Sequence, residues 1–178
     1  MKDSKWDGRI IPTYRPDSVI DPQSLEFKNN LVKLGELTNE DISSWDGYLN
    51  AHKSRRLFFK EMGATATDHG HPTARTENLS YNEAKQLYKL VLAEEFNSEE
   101  ADQFRGQMLT EMAKMSCEDG LVMQIHPGSR RNHSSKIFNQ FGLDKGFDIP
   151  GPTDYVSALK PLLNEVGLRT DLTIILFT

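Results

Sequence analysis

The chain has 178 residues, enough for one domain with a sizeable core, and its 37% hydrophobic and 26% charged residues place it among ordinary globular chains. No apolar run approaches the roughly 20 residues that cross a bilayer, and a net charge of −5 speaks against a nucleic-acid partner, whose phosphates attract basic surfaces. The one cysteine, Cys117, allows no disulfide within the chain, which fits a reducing, cytoplasmic setting, and the charged start Met1–Asp7 has no apolar stretch behind it, so no secretory leader is expected.

Four short β-like runs punctuate the chain: Arg9 to Tyr14, Ala64 to His69, Leu121 to His126 and Leu172 to Phe177. Helical patterns fill the gaps. Thr38-Asn39-Glu40-Asp41 reads as a capping-box start, followed by Ile42, Trp45, Leu49, Leu57 and Phe58. Ser80-Tyr81-Asn82-Glu83 is a clear capping box, and Ala84, Leu87, Tyr88, Val91 and Leu92 behind it form the stripe of an amphipathic helix. Asn97-Ser98 starts another helix with the stripe Ala101, Phe104, Met108, Met112 and Met115, ended by Gly120. The stretch from Pro127 to Thr153 is rich in Gly, Pro, Asn and Ser and reads as a long loop. Asp154 then caps a helix carrying Val156, Leu159, Leu163 and Val166, ended by Gly167.

Strands alternating with helices imply an α/β fold with a parallel sheet, and such sheets keep their chemistry at the carboxyl ends of the strands. The first run leads into Tyr14-Arg15-Pro16-Asp17, the second into Asp68-His69-Gly70-His71-Pro72, and the third into His126-Pro127-Gly128-Ser129-Arg130-Arg131-Asn132-His133. Three successive strands thus deliver arginine, carboxylate and imidazole to one rim. Arg15 and Arg131 are candidate anion clamps, because guanidinium pairs with a carboxylate through two hydrogen bonds. Set against this, a single arginine is usually a solvated surface charge. His69 and His71 could chelate a metal or simply be hydrogen-bonded loop imidazoles. Asp68 could act as a base, a metal ligand or a partner that orients a histidine. His126 closes an apolar strand and is either a core residue or a site residue, and Asp17 could do no more than cap a turn. Cys117, followed by Glu118 and Asp119, is in the wrong field for a thiolate nucleophile.

Three stretches carry a resemblance: Ile11 to Asp17, Gly63 to Thr73, and Gln124 to His133. With Trp45 to Leu49, Phe104 to Met112 and Lys145 to Pro150, they resemble the uronate (glucuronate) isomerases of the amidohydrolase superfamily. The resemblance implies a distorted TIM-type (β/α)8 barrel with a divalent metal, usually zinc, at the strand ends. It implies aldose–ketose isomerisation of D-glucuronate to D-fructuronate and of D-galacturonate to D-tagaturonate through an enediol. Carried over by motif, Arg15 and Arg131 are expected to bind the uronic acid substrate, with His69 and His71 beside it. His126 and Asp68 are the expected catalytic pair, and His126 also lies near the metal. The family's principal metal ligands, an H-x-H pair on the first barrel strand and an aspartate after the last, have no counterpart in this sequence. Residues 1–178 are therefore expected to be one domain, the central portion of a metal-dependent barrel with about four parallel strands, inactive alone. Such a partial barrel would leave sheet edges open, so self-association is expected. Two other readings stand beside this one: a metal-dependent hydrolase of the same superfamily, and a non-catalytic sugar-acid-binding fragment. No membrane partner is expected, and a homo-oligomer is compatible with all three.

Overall fold

The computed structural model describes residues 8–178, so the Met1–Asp7 start, on which the expectation of no leader rests, and Trp6 lie outside the described residues. A parallel sheet forms the centre, in the order β1 (Ala66–His69), β2 (Val122–Ile125) and β5 (Ile174–Leu176). The expected first strand is reduced to a single bridge: Tyr14 pairs with Thr67 on the free side of β1, with Tyr14 N–H donating to Ala66 O and Asp68 N–H to Tyr14 O. Pro12 and Pro16, which lack an N–H, bracket this segment and limit how far the ladder can run.

Sheet alternation sorts the side chains. Thr67, His69, Met123 and Ile125 are buried on the face covered by helices, whereas Asp68, Gln124 and Ile175 stand on the opposite, partly open face. The helices are α1 (Phe27–Thr38), α2 (Trp45–Glu61), α3 (Tyr81–Ala93), α4 (Ser98–Asp119), α5 (Ser135–Phe141), α6 (Tyr155–Ala158) and α7 (Lys160–Val166). Their core joins Leu31, Trp45, Tyr48, Leu87, Tyr88, Phe104, Met108 and Met112. At its centre Tyr48, Tyr88 and Phe104 stack, with the Tyr48 and Tyr88 rings 4.6 Å apart. None of the described helices is long and apolar enough to cross a membrane.

The capping boxes at Ser80/Glu83 and Asn97/Glu100 both form, and Gly120 ends α4 with φ +74°. The methionine stripe of α4 is core throughout. Four expectations need correction. Thr38 does not start a helix: it ends α1, its hydroxyl bonds Leu34 O, and α2 begins seven residues later at Trp45, capped by Ser44. Leu57 and Phe58 are exposed, because α2 buries Tyr48, Ala51, His52 and Arg56 instead, with Arg56 neutralised by Asp119 at 2.6 Å. The expected long loop holds α5 and a two-stranded hairpin of β3 (Ser129–Arg130) and β4 (Ile149–Pro150). The helix after Asp154 is two pieces, because Pro161 sits in the first turn of α7; the break buries Leu162 and leaves Val156 and Leu163 exposed.

Candidate active site

The carboxyl ends of Tyr14's segment, β1 and β2 lie side by side, and their next residues meet. Arg15 is the hub. Its Nε donates to Asp17 Oδ2 at 2.7 Å, its Nη1 lies 3.6 Å from Asp68 Oδ2, and its Nη2 lies 3.3 Å from His126 Nε2. His126 Nδ1 in turn lies 2.7 Å from Asp68 Oδ1. Asp68 therefore bridges a guanidinium and an imidazole on the open face of the sheet. A ring whose Nδ1–H is held by a carboxylate presents Nε2 as its free basic or ligating atom.

Gly70 makes this convergence sterically feasible. A Cβ there would lie 2.3 Å from Arg15 Nη2, 2.9 Å from His126 Nε2 and 3.1 Å from Asp17 Oδ2. Its backbone N–H also donates to both oxygens of Asp17. The glycine between the histidines thus admits the protein's own polar groups.

A cavity of about 810 Å³ opens beside Arg15. Its wall includes both arginines singled out from sequence, Arg15 and Arg131, together with Asp17, His71, Arg105 and Arg130. Arg131 stands in the hairpin loop, loosely paired with Asp148 at 3.6 Å and Asp144 at 3.7 Å, so its guanidinium is available for exchange with an anion. Arg15 belongs both to the cavity and to the Asp68–His126 cluster, and so links the cavity's cationic wall to that pair.

The two histidines of the Asp68–Pro72 segment separate. His69 is fully buried on the helix-facing side of β1, where Nε2 meets Thr67 Oγ1 at 3.0 Å. His71, 5% exposed, lines the cavity wall with Nε2 3.8 Å from Asp17 Oδ1. Burial drives both imidazoles toward the neutral form, lowering the His71 pKa to about 4 and that of His69 well below the usual histidine value. Asp17, His69 and His71 each offer a ligand atom, and these three atoms lie within 4.8 Å of one another, a group able to hold a divalent metal. Cys117 is buried, and burial raises its thiol pKa, in keeping with its exclusion as a nucleophile. Sequence reasoning passed over Arg105, which is buried on α4 and pairs with Asp21 at 2.6 Å and with Asp102. Its place inside a helix that otherwise reads as core was the only sign of it.

The family model for glucuronate isomerase matches residues 1–178. The chain belongs to the glucuronate isomerase family. It is 60% identical over 176 residues to the uronate isomerase of Rhizobium meliloti (strain 1021), covering 99% of this chain and 38% of that protein. It is 59% identical over 178 residues to the uronate isomerase of Mesorhizobium japonicum, again covering 38% of that protein. Among solved structures, glucuronate isomerase from Caulobacter crescentus superposes with a TM-score of 0.94 at 51% identity, over 99% of this chain and 37% of that one. The uronate isomerase from Thermotoga maritima gives a TM-score of 0.84 at 28% identity, over 94% of this chain and 38% of that one. The chain thus spans under two-fifths of the length of these glucuronate isomerase relatives.

Proposed function

We propose that residues 1–178 are the central portion of a uronate isomerase barrel, contributing the substrate-carboxylate wall and the proton-handling pair of a larger active site. The carrying observation is the Arg15–Asp68–His126 cluster at adjacent strand ends, whose Arg15 also lines a cavity together with Arg131. Interconverting an aldose and a ketose moves one proton between adjacent carbons through an enediol, so the site needs a base, a donor for the oxygens and an anchor for the substrate. Arg15 and Arg131 anchor the uronate carboxylate, each replacing a carboxylate that it already pairs with inside the protein. His126 Nε2 takes or returns the proton, and Asp68 holds Nδ1 so that Nε2 is the reactive nitrogen. The guanidinium of Arg15, next to His126, also stabilises negative charge developing on a substrate oxygen. D-glucuronate and D-galacturonate are the substrates this reading assigns.

Where a divalent metal, zinc in this reading, is held, His126 would be a ligand through Nε2 in place of its role as base, because a carboxylate on the other ring nitrogen is the usual support of a metal-bound imidazole. When bound, it would supply Lewis acidity to the substrate oxygens.

The test is a chimera in which residues 1–178 replace the matching segment of the Rhizobium meliloti relative, assayed for ketose formation from D-glucuronate and D-galacturonate. Turnover within about tenfold of the parent supports the reading. A folded chimera that turns over neither uronate, with zinc or manganese supplied, ends it.

A further inference from the structure

We propose a metal site made entirely within this chain, in which Asp17, His69 and His71 bind a first-row divalent transition metal at the end of β1, with Arg15 between it and the Asp68–His126 pair. The first support is that these side chains lack partners. Among the described residues, Nδ1 of His69 and both ring nitrogens of His71 have no hydrogen-bond partner, although His69 is fully buried and His71 only 5% exposed. Buried polar atoms are normally satisfied, and leaving one bare costs about 1–3 kcal/mol. A bound cation would take one nitrogen from each ring and so remove two of these three costs.

The donor set is the second support. Two imidazoles and one carboxylate suit first-row divalent metals and leave coordination positions open. Metal–nitrogen bonds of about 2.0–2.1 Å place tetrahedral ligands about 3.4 Å apart. The three ligand atoms lie within 4.8 Å, and the Asp17 Oδ1 to His71 Nε2 separation is already 3.8 Å. A contraction of about an ångström, taken up by side-chain rotation, would close the site. The two rings meet edge to face, with centroids 6.1 Å apart and planes at 86°.

The outer contacts fit as well. His69 Nε2 is held by Thr67 Oγ1, which directs Nδ1 to the site. Asp17 Oδ2 accepts from Arg15 while Oδ1 faces His71, so the carboxylate could bind metal through one oxygen and keep Arg15 on the other. The entry path is the cavity that Asp17 and His71 both line. Arg105 and Arg15 bring positive charge nearby, offset by Asp17, Asp21 and Asp102. Bound here, the ion would fasten the segment after Tyr14 to the end of β1 and so fix the position of Arg15.

Cobalt(II) titration of the 178-residue chain, stripped with chelator, tests this without any sugar. One equivalent should bind, giving a visible d–d absorption band and a higher melting temperature. His71→Gln and Asp17→Asn, both at the cavity wall, should weaken binding by at least tenfold while circular dichroism stays unchanged. His69→Gln should do the same, and if it fails to fold the other two variants decide. His126→Gln should leave affinity within twofold. A folded chain that takes up no cobalt, binding that survives His71→Gln, or binding lost with His126→Gln would each overturn the proposal. None of these outcomes depends on whether uronates are turned over.

Discussion

Asp68 Oδ1 lies 2.7 Å from His126 Nδ1, tying together the ends of two parallel strands whose residues are 58 positions apart in the chain, and the same carboxylate reaches Arg15 with its other oxygen at 3.6 Å. This contact sets which nitrogen of His126 is free. Asp68→Asn in the active chimera is therefore expected to lower kcat about 10–100-fold, the usual cost of losing an orienting carboxylate, with a smaller change in KM. Steady-state kinetics on D-glucuronate read the split. A loss confined to KM would count against an orienting role.

Arg15→Ala removes a charged donor from the cavity wall. Hydrogen bonds to charged groups contribute about 1.5–3 kcal/mol, so kcat/KM for a uronate should fall by roughly 10–150-fold. Arg15→Lys should recover little, because an ammonium cannot reproduce the forked contact with Asp17, Asp68 and the substrate. Full activity in Arg15→Lys would show that only charge matters here.

Gly70→Ala is expected to disable the site and spare the fold. The new methyl would overlap Arg15 Nη2 at 2.3 Å and crowd His126 Nε2 at 2.9 Å, side-chain ends that can swing away. The chimera's kcat/KM should drop at least tenfold, while the melting temperature of the variant moves by only a few degrees. A large fall in melting temperature instead would point to a backbone that cannot yield.

His52 links stability to pH. It is fully buried, shares a 2.8 Å hydrogen bond with the Tyr14 hydroxyl, and burial lowers its pKa to about 3, with Arg56 adding to the effect. Its pKa in the unfolded chain is near 6.5, so between about pH 6.5 and pH 3 the unfolded state binds a proton that the folded state refuses. Its stabilising contribution is complete above pH 6.5 and is lost as the pH falls, by about 1.4 kcal/mol per unit for one proton. His69 and His71, whose pKa values burial also lowers, add slope of the same sign, so urea unfolding at pH 7 and pH 5 should show a steeper fall in the parent chain than in His52→Gln, the difference being the His52 share.

The sheet edge predicts association. Among the described residues β5 is paired only with β2, and Ile175, Leu176 and Phe177 are all more than a third exposed. An open, apolar parallel edge recruits other chains. Sedimentation of the isolated chain should find oligomers at micromolar concentration; a monomer that melts cooperatively would contradict this.

Much of the local architecture could be read directly. The capping boxes at Ser80 and Asn97, the stripes of α3 and α4, and the apolar runs of β2 and β5 are short-range patterns, in which neighbours a few residues apart settle the outcome. The motifs around Arg15, Asp68 and His126 were legible for the same reason, and with them the family. Where local signals competed, sequence reading failed. Thr38 carries the letters of a cap but closes α1, and α2 buries His52 and Arg56 where Leu57 and Phe58 would be expected, because distant Tyr14 and Asp119 satisfy the polar groups.

What the sequence alone determined is which chemical groups stand at the ends of the strands. What only the tertiary structure decided is which of them meet. Arg15 reaches His126 across 111 positions, and Arg105 reaches Asp21 across 84. His69, next to Asp68 in sequence, turns to the covered side of the sheet while Asp68 turns to the open one. The physical reason is that a strand alternates its side chains between two faces, but only the packing of helices against one face decides which is buried.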